Sequence, residues 1–166
     1  MGEKKEEVII LGIDPGTRIT GYGIIEKLKG ELRYLSHGEI KSPNDSPLSI
    51  RLKLLFDSLM AVVNKWQPQA LVIEDIFYGK NVKSLIIQGH ARGAVLLIAP
   101  FNNIPVYEYS PLEIKKAVVG YGRAEKKQVQ QMVKTILNLS KAAPPDASDA
   151  LAAAICHAHY QKMEFL

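Results

Sequence analysis

The sequence has one cysteine, Cys156, among its 166 residues, so no disulfide can form within the chain. This cysteine usage fits a reducing compartment, and we expect the protein to be cytoplasmic. No uninterrupted apolar stretch reaches the roughly 20 residues that a membrane-spanning helix needs. The first seven residues mix charges of both signs and lack the apolar segment of a signal peptide, so we expect residues 1–7 to form a solvated tail.

Internal repeats, low-complexity tracts and domain linkers are also missing from the sequence. We therefore predict one domain over residues 1–166, which is long enough to bury a substantial core. The apolar fraction of 47% and the charged fraction of 23% are typical of a globular protein.

Short apolar runs alternate with helical periodicities along the chain, which predicts an α/β fold. Short turns separate the first three strands, so we expect an antiparallel meander followed by a helix-strand-helix-strand segment. Together these elements predict a mixed five-stranded sheet with helices on its faces. The predicted strands cover residues 8–14, 19–26, 32–40, 70–73 and 104–107, and the predicted helices cover 48–66, 82–99, 112–119, 125–139 and a last helix from about 146. The last helix has a narrow apolar face, formed by Ala150, Leu151, Ala154, Ile155 and Ala158.

Four carboxylates occupy positions where a sheet and a helix could bring them together. Asp14 ends the first strand and Glu74 ends the fourth, while Asp146 and Asp149 share one face of the last helix. If the first and fourth strands are parallel neighbours, Asp14 and Glu74 emerge side by side at their carboxyl ends. Four clustered acids could not all stay ionised without compensation, and two Mg²⁺ ions would balance their charge with the oxygen ligands that Mg²⁺ prefers.

Each acid also has a simpler explanation. Asp14 precedes Pro-Gly and could only start a turn. Asp146 could cap the last helix, and Asp149 could interact with the helix dipole. Glu74 is harder to explain in this way, since an acid that continues an apolar strand must leave the core or be paired. Spacing alone leaves both interpretations open.

Positive charge is concentrated in residues 110–141. This segment holds seven basic and two acidic residues, an excess of +5, whereas the rest of the chain is close to neutral at −1. The excess could belong to a solvated, Lys-rich helix face, or it could form a surface that meets a polyanion.

Five motifs in this order resemble the RuvC-type Holliday junction resolvases of bacteria, over residues 8–159. The motifs are "GIDPGTRITGYGII", "VIEDIFYGKN", "ARG", "VVGYGRAEKKQVQ" and "PPDASDALAAAICH". The resemblance implies a ribonuclease H-like fold and a homodimer that cuts two strands symmetrically across a four-way DNA junction. It implies that the catalytic and metal-binding acids are Asp14, Glu74, Asp146 and Asp149, with two Mg²⁺ per subunit and Mn²⁺ as an alternative.

The resemblance also implies a DNA-facing set of residues. Phe77 matches an aromatic residue that stacks on an opened base, and Lys115 and Lys126 match lysines that contact DNA near the active site. Lys80 and Lys83 make the loop after Glu74 basic, which suits a DNA-facing position; Arg92 and Lys127 are weaker candidates. By the same resemblance, the junction-binding and branch-migration proteins RuvA and RuvB are expected partners.

Other functions remain to be weighed. The segment "GIDPGTRITGYG" is also similar to the phosphate-binding hairpin of the actin-like ATPases, but those proteins need two such lobes and are far longer. A ribonuclease H-like nuclease that processes RNA is the nearest enzymatic alternative, and an inert nucleic-acid-binding module of that shape is another. Gly89 and Gly93 could mark a dimer interface, or they could pack against the sheet of their own subunit.

Overall fold

One mixed sheet organises the protein. The structure, a computed structural model, describes residues 7–76 and 81–160. Its five strands are β1 (Glu7–Asp14), β2 (Ile19–Leu28), β3 (Glu31–Lys41), β4 (Ala70–Glu74) and β5 (Val106–Tyr109), in the spatial order β3-β2-β1-β4-β5. β1, β2 and β3 form an antiparallel meander, and β1 pairs with β4 and β4 with β5 in parallel. The predicted mixed five-stranded sheet is confirmed.

Helices cover both faces of the sheet. They are α1 (Leu48–Trp66), α2 (Val82–Phe101), α3 (Pro111–Val119), α4 (Lys126–Ile136) and α5 (Pro145–Tyr160). Side chains alternate along each strand, so Ile10 packs in the cluster beneath α3, α4 and α5, and Leu11 packs in the cluster beneath α1 and α2. The domain therefore has two cores separated by the sheet.

The boundaries of several elements differ from the prediction: β2 and α2 each run two residues further, and β5 and α4 differ for reasons that the structure shows. The strand predicted over 104–107 lies at Val106–Tyr109, because the Ile104 N–H bonds back to Ala99 at the end of α2 and Pro105 has no N–H to donate. The helix predicted over 125–139 ends at Ile136, because Asn138 takes a left-handed φ of 52°. Both shifts come from the chemistry of chain reversal, which hydrophobic periodicity does not record.

The prediction of a narrow apolar face on α5 is wrong. Every residue of this helix from Ala147 to Ala158 is buried except Asp149, because α5 lies between the sheet and the layer formed by α3 and α4. Its small side chains therefore serve contacts on all sides. The only partly exposed acids of α5 lie in its first turns, at Asp146 and Asp149.

Glycines in the sheet let α5 approach the strands closely. A Cβ at Gly12 would overlap the carbonyl group of Ala150, and a Cβ at Gly21 would overlap that of Asp146. The alanines of the helix and the glycines of β1 and β2 thus create one close contact between backbones. This contact sets the height of the α5 acids above the end of β1.

α2 is longer and more apolar than the short uninterrupted apolar runs of the sequence suggest. By length and composition alone it could cross a membrane, and it is the one helix of this kind in the described ranges 7–76 and 81–160. Its inner face nevertheless packs in the core through Ala91, Val95 and Ile98. A soluble protein's core helix passes the same test, so this observation alone does not indicate a membrane protein.

Candidate metal centre and DNA-facing cleft

Asp14 and Glu74 lie at the same edge of the sheet. The parallel ladder between β1 and β4 runs from Ile10 opposite Ala70 to Ile13 opposite Ile73, so each acid is the next residue of its strand. The apolar residues that pair in this ladder are buried, whereas Asp14 and Glu74 are partly exposed. The predicted juxtaposition of the strand-end acids is confirmed.

α5 brings two more acids to this edge. It begins at Pro145, and the Ser148 N–H bonds to the carbonyl of Pro144 at 2.8 Å, which forms the first turn. Asp146 and Asp149 both lie in the first two turns, above the strand ends. Their carboxylate oxygens and those of Asp14 come within 4.8 Å of one another.

Glu74, at the end of the neighbouring strand β4, is not one of the three carboxylates that lie within 4.8 Å of one another. It still interacts electrostatically with the others: burial and then the charge of Asp149 raise the pKa of Glu74, and the charge of Glu74 adds to the effect of burial and of the other acids on the pKa of Asp14. All four predicted acids therefore share one electrostatic environment, with three of them in closer contact.

Asp14 is the most perturbed acid of the group. Burial, followed by the charges of Asp149, Asp146 and Glu74, raises its pKa from 3.8 to about 7. Lys126 opposes the shift. A half-buried carboxylate among three others needs a cation nearby to stay ionised at neutral pH.

Lys126 supplies part of that positive charge. Its Nζ lies 2.9 Å from Oδ2 of Asp149, and this hydrogen bond raises the pKa of Lys126. Burial raises the pKa of Asp149, and Lys126 and Lys115 act in the opposite direction. One lysine therefore neutralises only a fraction of the charge of four acids.

The donor set fits a hard divalent cation. Three carboxylates within 4.8 Å of one another offer oxygen ligands, which Mg²⁺ prefers. The raised pKa values of Asp14 and Asp149 show that the protein itself compensates their charge incompletely. Mn²⁺ accepts the same oxygen ligands. Asp14, Asp146 and Asp149 could hold such an ion, with Glu74 available at the side of the group.

A cleft of about 210 Å³ opens beside the acids. Its lining includes the acids Glu74 and Asp149, the lysines Lys115 and Lys126, and apolar residues such as Ile114 and Val129. Lys115 comes from α3, whose start is fixed by a capping box between Ser110 and Glu113. The cleft therefore places two ammonium groups beside the carboxylates.

The other predicted DNA contacts have different outcomes. Lys83 is exposed in the first turn of α2, where Asn81 caps the helix by accepting from the N–H groups of Lys83 and Ser84. Phe77 and Lys80 lie outside the described residues. Lys127 is exposed on α4, next to Lys126.

Arg92, a weaker candidate for a DNA contact, is engaged within its own subunit. Its side chain is buried, and it donates to the carbonyl oxygen of Glu74 and forms an ion pair with Glu108 at 2.9 Å. The sequence does indicate a buried arginine here, because Arg92 is a charged residue on the inner face of an otherwise apolar helix, between Ala91 and Val95.

His157 and His159 both contact groups of their own subunit. His157 is buried and its Nδ1 lies 2.7 Å from the hydroxyl of Tyr109, whereas the His159 ring contacts the carbonyl of Ala117. Burial, reinforced by the charge of Lys27, lowers the pKa of His157 to about 4. His157 is therefore a neutral core residue.

Comparison with known proteins places this arrangement in one family. The family model described as "Crossover junction endodeoxyribonuclease RuvC" matches residues 10–157, which include all four acids and both cleft lysines. The chain belongs to the RuvC family. A curated RuvC of Syntrophotalea carbinolica is 53% identical over 150 residues, which cover 90% of this chain and 93% of that protein.

Solved structures agree with this assignment. The structure described as T. thermophilus RuvC in complex with a Holliday junction substrate matches with a TM-score of 0.89 and 33% identity, and covers 95% of this chain and 96% of its own. A yeast mitochondrial Holliday junction resolvase matches with a TM-score of 0.63 and 13% identity, covers 95% of this chain and 86% of its own, and shows the same fold. The predicted ribonuclease H-like fold is therefore confirmed, and the family match decides against the actin-like ATPases.

Proposed function

We propose that this protein is a metal-dependent endonuclease that resolves four-way DNA junctions by two symmetric cuts, in recombination and repair. The observation that carries the proposal is the convergence of Asp14, Asp146 and Asp149 beside a cleft lined by Lys115 and Lys126, in a chain of the RuvC family. The carboxylates suit metal-assisted hydrolysis, and the lysines suit the phosphate that would be cut.

Phosphodiester hydrolysis is difficult because the phosphodiester is an anion and the water-derived nucleophile that attacks it, hydroxide, is an anion too. Two Mg²⁺ ions would supply activation of that nucleophile and stabilisation of the leaving oxygen. In this proposal Asp14, at the centre of the acids, would serve both ions, and Glu74, Asp146 and Asp149 would complete their ligands. An in-line attack on the phosphorus would leave 5′-phosphate and 3′-hydroxyl ends, which a ligase can reseal.

The lysines of the cleft would bind the backbone of the DNA. Lys115 and Lys126 can each place an ammonium group on a phosphate oxygen, and such contacts give affinity that falls with salt. Lys126 would exchange Asp149 for phosphate or share its donors between the two, since an ammonium carries three. Lys83 would extend the basic surface along the start of α2. By the family resemblance, Phe77 would stack on a base at the junction centre and Lys80 would contact the backbone beside it.

We propose that the functional unit is a homodimer formed through α2. Its outer face carries large apolar side chains, and Val82, Ile86, Leu97 and Phe101 are exposed by 72%, 56%, 54% and 68%. A Cβ at Gly89 or Gly93 would meet no atom within 4 Å among residues 7–76 and 81–160, so these glycines do not serve packing within that part of the chain. An apolar stripe with small residues at its centre suits a second helix of the same kind. Two subunits would also provide one site for each of the two cuts.

The dimer proposal can be tested by one charged substitution. Leu97→Glu should convert the dimer to monomers in sedimentation equilibrium and abolish paired cutting of a junction. Ile50→Glu is the matched control, because Ile50 is exposed to a similar extent, 52%, on a different helix, α1. A Leu97→Glu protein that remains dimeric would move the interface elsewhere.

The proposed setting follows from the substrate. We place the enzyme in the cytoplasm, where bacterial recombination intermediates arise. RuvA and RuvB are its proposed partners, on the family resemblance alone.

Asp14→Asn tests the proposed active site. Removing this charge should abolish cutting of a synthetic four-way junction in Mg²⁺, whereas the affinity for the junction should stay nearly the same, because the basic cleft is intact. Gel mobility and strand cleavage measure the two properties separately. Undiminished cutting by Asp14→Asn would refute the assignment.

A ribonuclease H-like RNA-processing nuclease is the remaining alternative. Cleavage of structured RNA or of an RNA–DNA hybrid in preference to the junction would support that function instead. The same acids would serve either substrate, so only the substrate comparison separates the two.

A further inference from the structure

Arg92 stands apart from the other charged residues of the described ranges. Within 7–76 and 81–160 it is the one Lys, Arg, Asp or Glu that is buried, with 8% of its surface exposed. Burying an arginine is costly unless every part of its charge is compensated. Its partners should therefore indicate what the protein gains from it.

The Arg92 guanidinium joins α2 to the ends of two strands. One amino group donates to the carbonyl oxygen of Glu74, the last residue of β4. The other lies 2.9 Å from Oε1 of Glu108 on β5 and 3.7 Å from Oδ1 of Asp75. Two carboxylates thus compensate the charge, while the first amino group bonds the main chain of Glu74.

The peptide group between Glu74 and Asp75 is held from both sides. Its carbonyl accepts from Arg92, and its N–H donates to the carbonyl of Tyr109 on β5 at 2.8 Å. The ladder between β4 and β1 has already ended at Ile73 opposite Ile13. Arg92 therefore supplies the hydrogen bond to the Glu74 carbonyl that β1 does not.

We propose that Arg92 is a positioning residue for Glu74 and for the segment that follows it. This inference rests on the proposed function, because it assigns Glu74 to the metal centre. By fixing the peptide plane after Glu74, Arg92 fixes the direction in which the Glu74 side chain leaves the strand. It also faces the carboxylate of the next residue, Asp75, at 3.7 Å.

The geometry requires arginine more than it requires a positive charge. A guanidinium presents its donors in a rigid fork and can bond a carbonyl and a carboxylate at once, whereas an ammonium is a single point of charge on a flexible stem. Arg92→Lys should therefore keep the charge and lose the simultaneous contacts. Residues that orient metal ligands typically change metal affinity or activity by about 10–100-fold when they are removed.

The experiment compares Arg92→Ala, Arg92→Lys and Glu108→Gln with the wild type. Single-turnover cleavage is measured at saturating junction, junction affinity in EDTA, and Mn²⁺ affinity by calorimetry without DNA. We expect Arg92→Ala to lose roughly 10–100-fold in cleavage rate and to bind Mn²⁺ more weakly, with junction affinity within about twofold of wild type. Arg92→Lys should show a smaller loss, and Glu108→Gln the smallest, because the bond to the Glu74 carbonyl remains.

Controls separate positioning from a general loss of stability. Arg33→Ala removes an exposed arginine that pairs with Glu26 on the antiparallel side of the sheet, and should leave all three readouts unchanged. Ethylguanidinium added to Arg92→Ala should restore part of the cleavage rate, which a merely unstable protein would not show. If Arg92→Ala does not fold, Arg92→Lys carries the same comparison.

The result that would overturn the inference is a folded Arg92 variant with wild-type cleavage rate and wild-type Mn²⁺ affinity. Failure of the proposed function would look different, because the wild type itself would then leave the junction uncut. The calorimetric comparison without DNA would still decide the role of Arg92 in that case.

Discussion

Replacing Asp14 by Asn should stabilise the metal-free protein while it destroys the proposed activity. The reason is the raised pKa of Asp14, about 7 in the folded protein against 3.8 for an ordinary aspartate. The folded state then holds a proton on Asp14 that the unfolded state releases at lower pH. An acid of this kind costs stability when it is ionised.

The size and the pH window follow from the two pKa values. The cost is absent below about pH 4, where both states are protonated, and it grows as the pH rises to about 7, where the folded state also ionises. A shift of about 3 pKa units corresponds to roughly 4 kcal/mol in the free energy of unfolding. At pH 8 in EDTA, Asp14→Asn should therefore be more stable than wild type by up to about 4 kcal/mol, and at pH 5 by about 1–2 kcal/mol.

Urea denaturation at several pH values in EDTA measures this difference. Asp45→Asn is the matched control, because Asp45 is exposed in the turn before α1 and its substitution should leave the stability unchanged. Adding Mn²⁺ should stabilise wild type more than Asp14→Asn, because a ligand that binds the folded state raises its stability.

If the wild type equals or exceeds Asp14→Asn in stability at pH 8 in EDTA, ionised Asp14 does not destabilise the metal-free protein. A stability difference that is the same at pH 5 and pH 8 would lead to the same conclusion. Either result would mean that Asp14 is not held ionised at a cost among the other acids.

Three further predictions concern other parts of the molecule. Lys126→Ala should weaken junction binding and reduce the slope of log affinity against log salt by about 1, and an unchanged slope in fluorescence anisotropy would remove Lys126 from the DNA surface. Gly21→Ala should lower the free energy of unfolding by about 1–3 kcal/mol, because the new Cβ overlaps the carbonyl of Asp146, and wild-type stability in urea would contradict that close contact. His157→Gln should remove a loss of about 3 kcal/mol that wild type suffers as the pH falls from 6.5 to 4, because the unfolded state protonates His157 first; an unaltered acid profile would contradict this.

Strand-end acids were predictable because sheet geometry is simple. An acid at the end of each of two apolar strands can meet the other only if the strands are parallel neighbours, and β1 and β4 are. The spacing of Asp146 and Asp149 likewise determines that they share a helix face. The sequence could not decide whether the acids of α5 lie near the strand-end acids, because that depends on how α5 crosses the sheet.

Tertiary contacts account for what the sequence did not reveal. The apolar stripe of α5 indicated one buried face, but the layer of α3 and α4 covers the other faces too. Arg92 looked like a candidate for DNA because an arginine's partner is not visible in the sequence, and Glu108 lies 16 positions away on another element. The ion pair between Lys126 and Asp149 is invisible for the same reason.

The proposed selectivity for four-way junctions can be measured by comparing the cleavage of three substrates. Wild-type protein is incubated with a four-way junction, a linear duplex and an RNA–DNA hybrid, each in Mg²⁺ and in EDTA, and the products are mapped on sequencing gels. A metal-dependent junction resolvase should produce paired, symmetric nicks with ligatable ends in the junction alone, and only in Mg²⁺. Cutting of the hybrid or of the linear duplex in preference to the junction, or cutting that survives EDTA, would contradict this function.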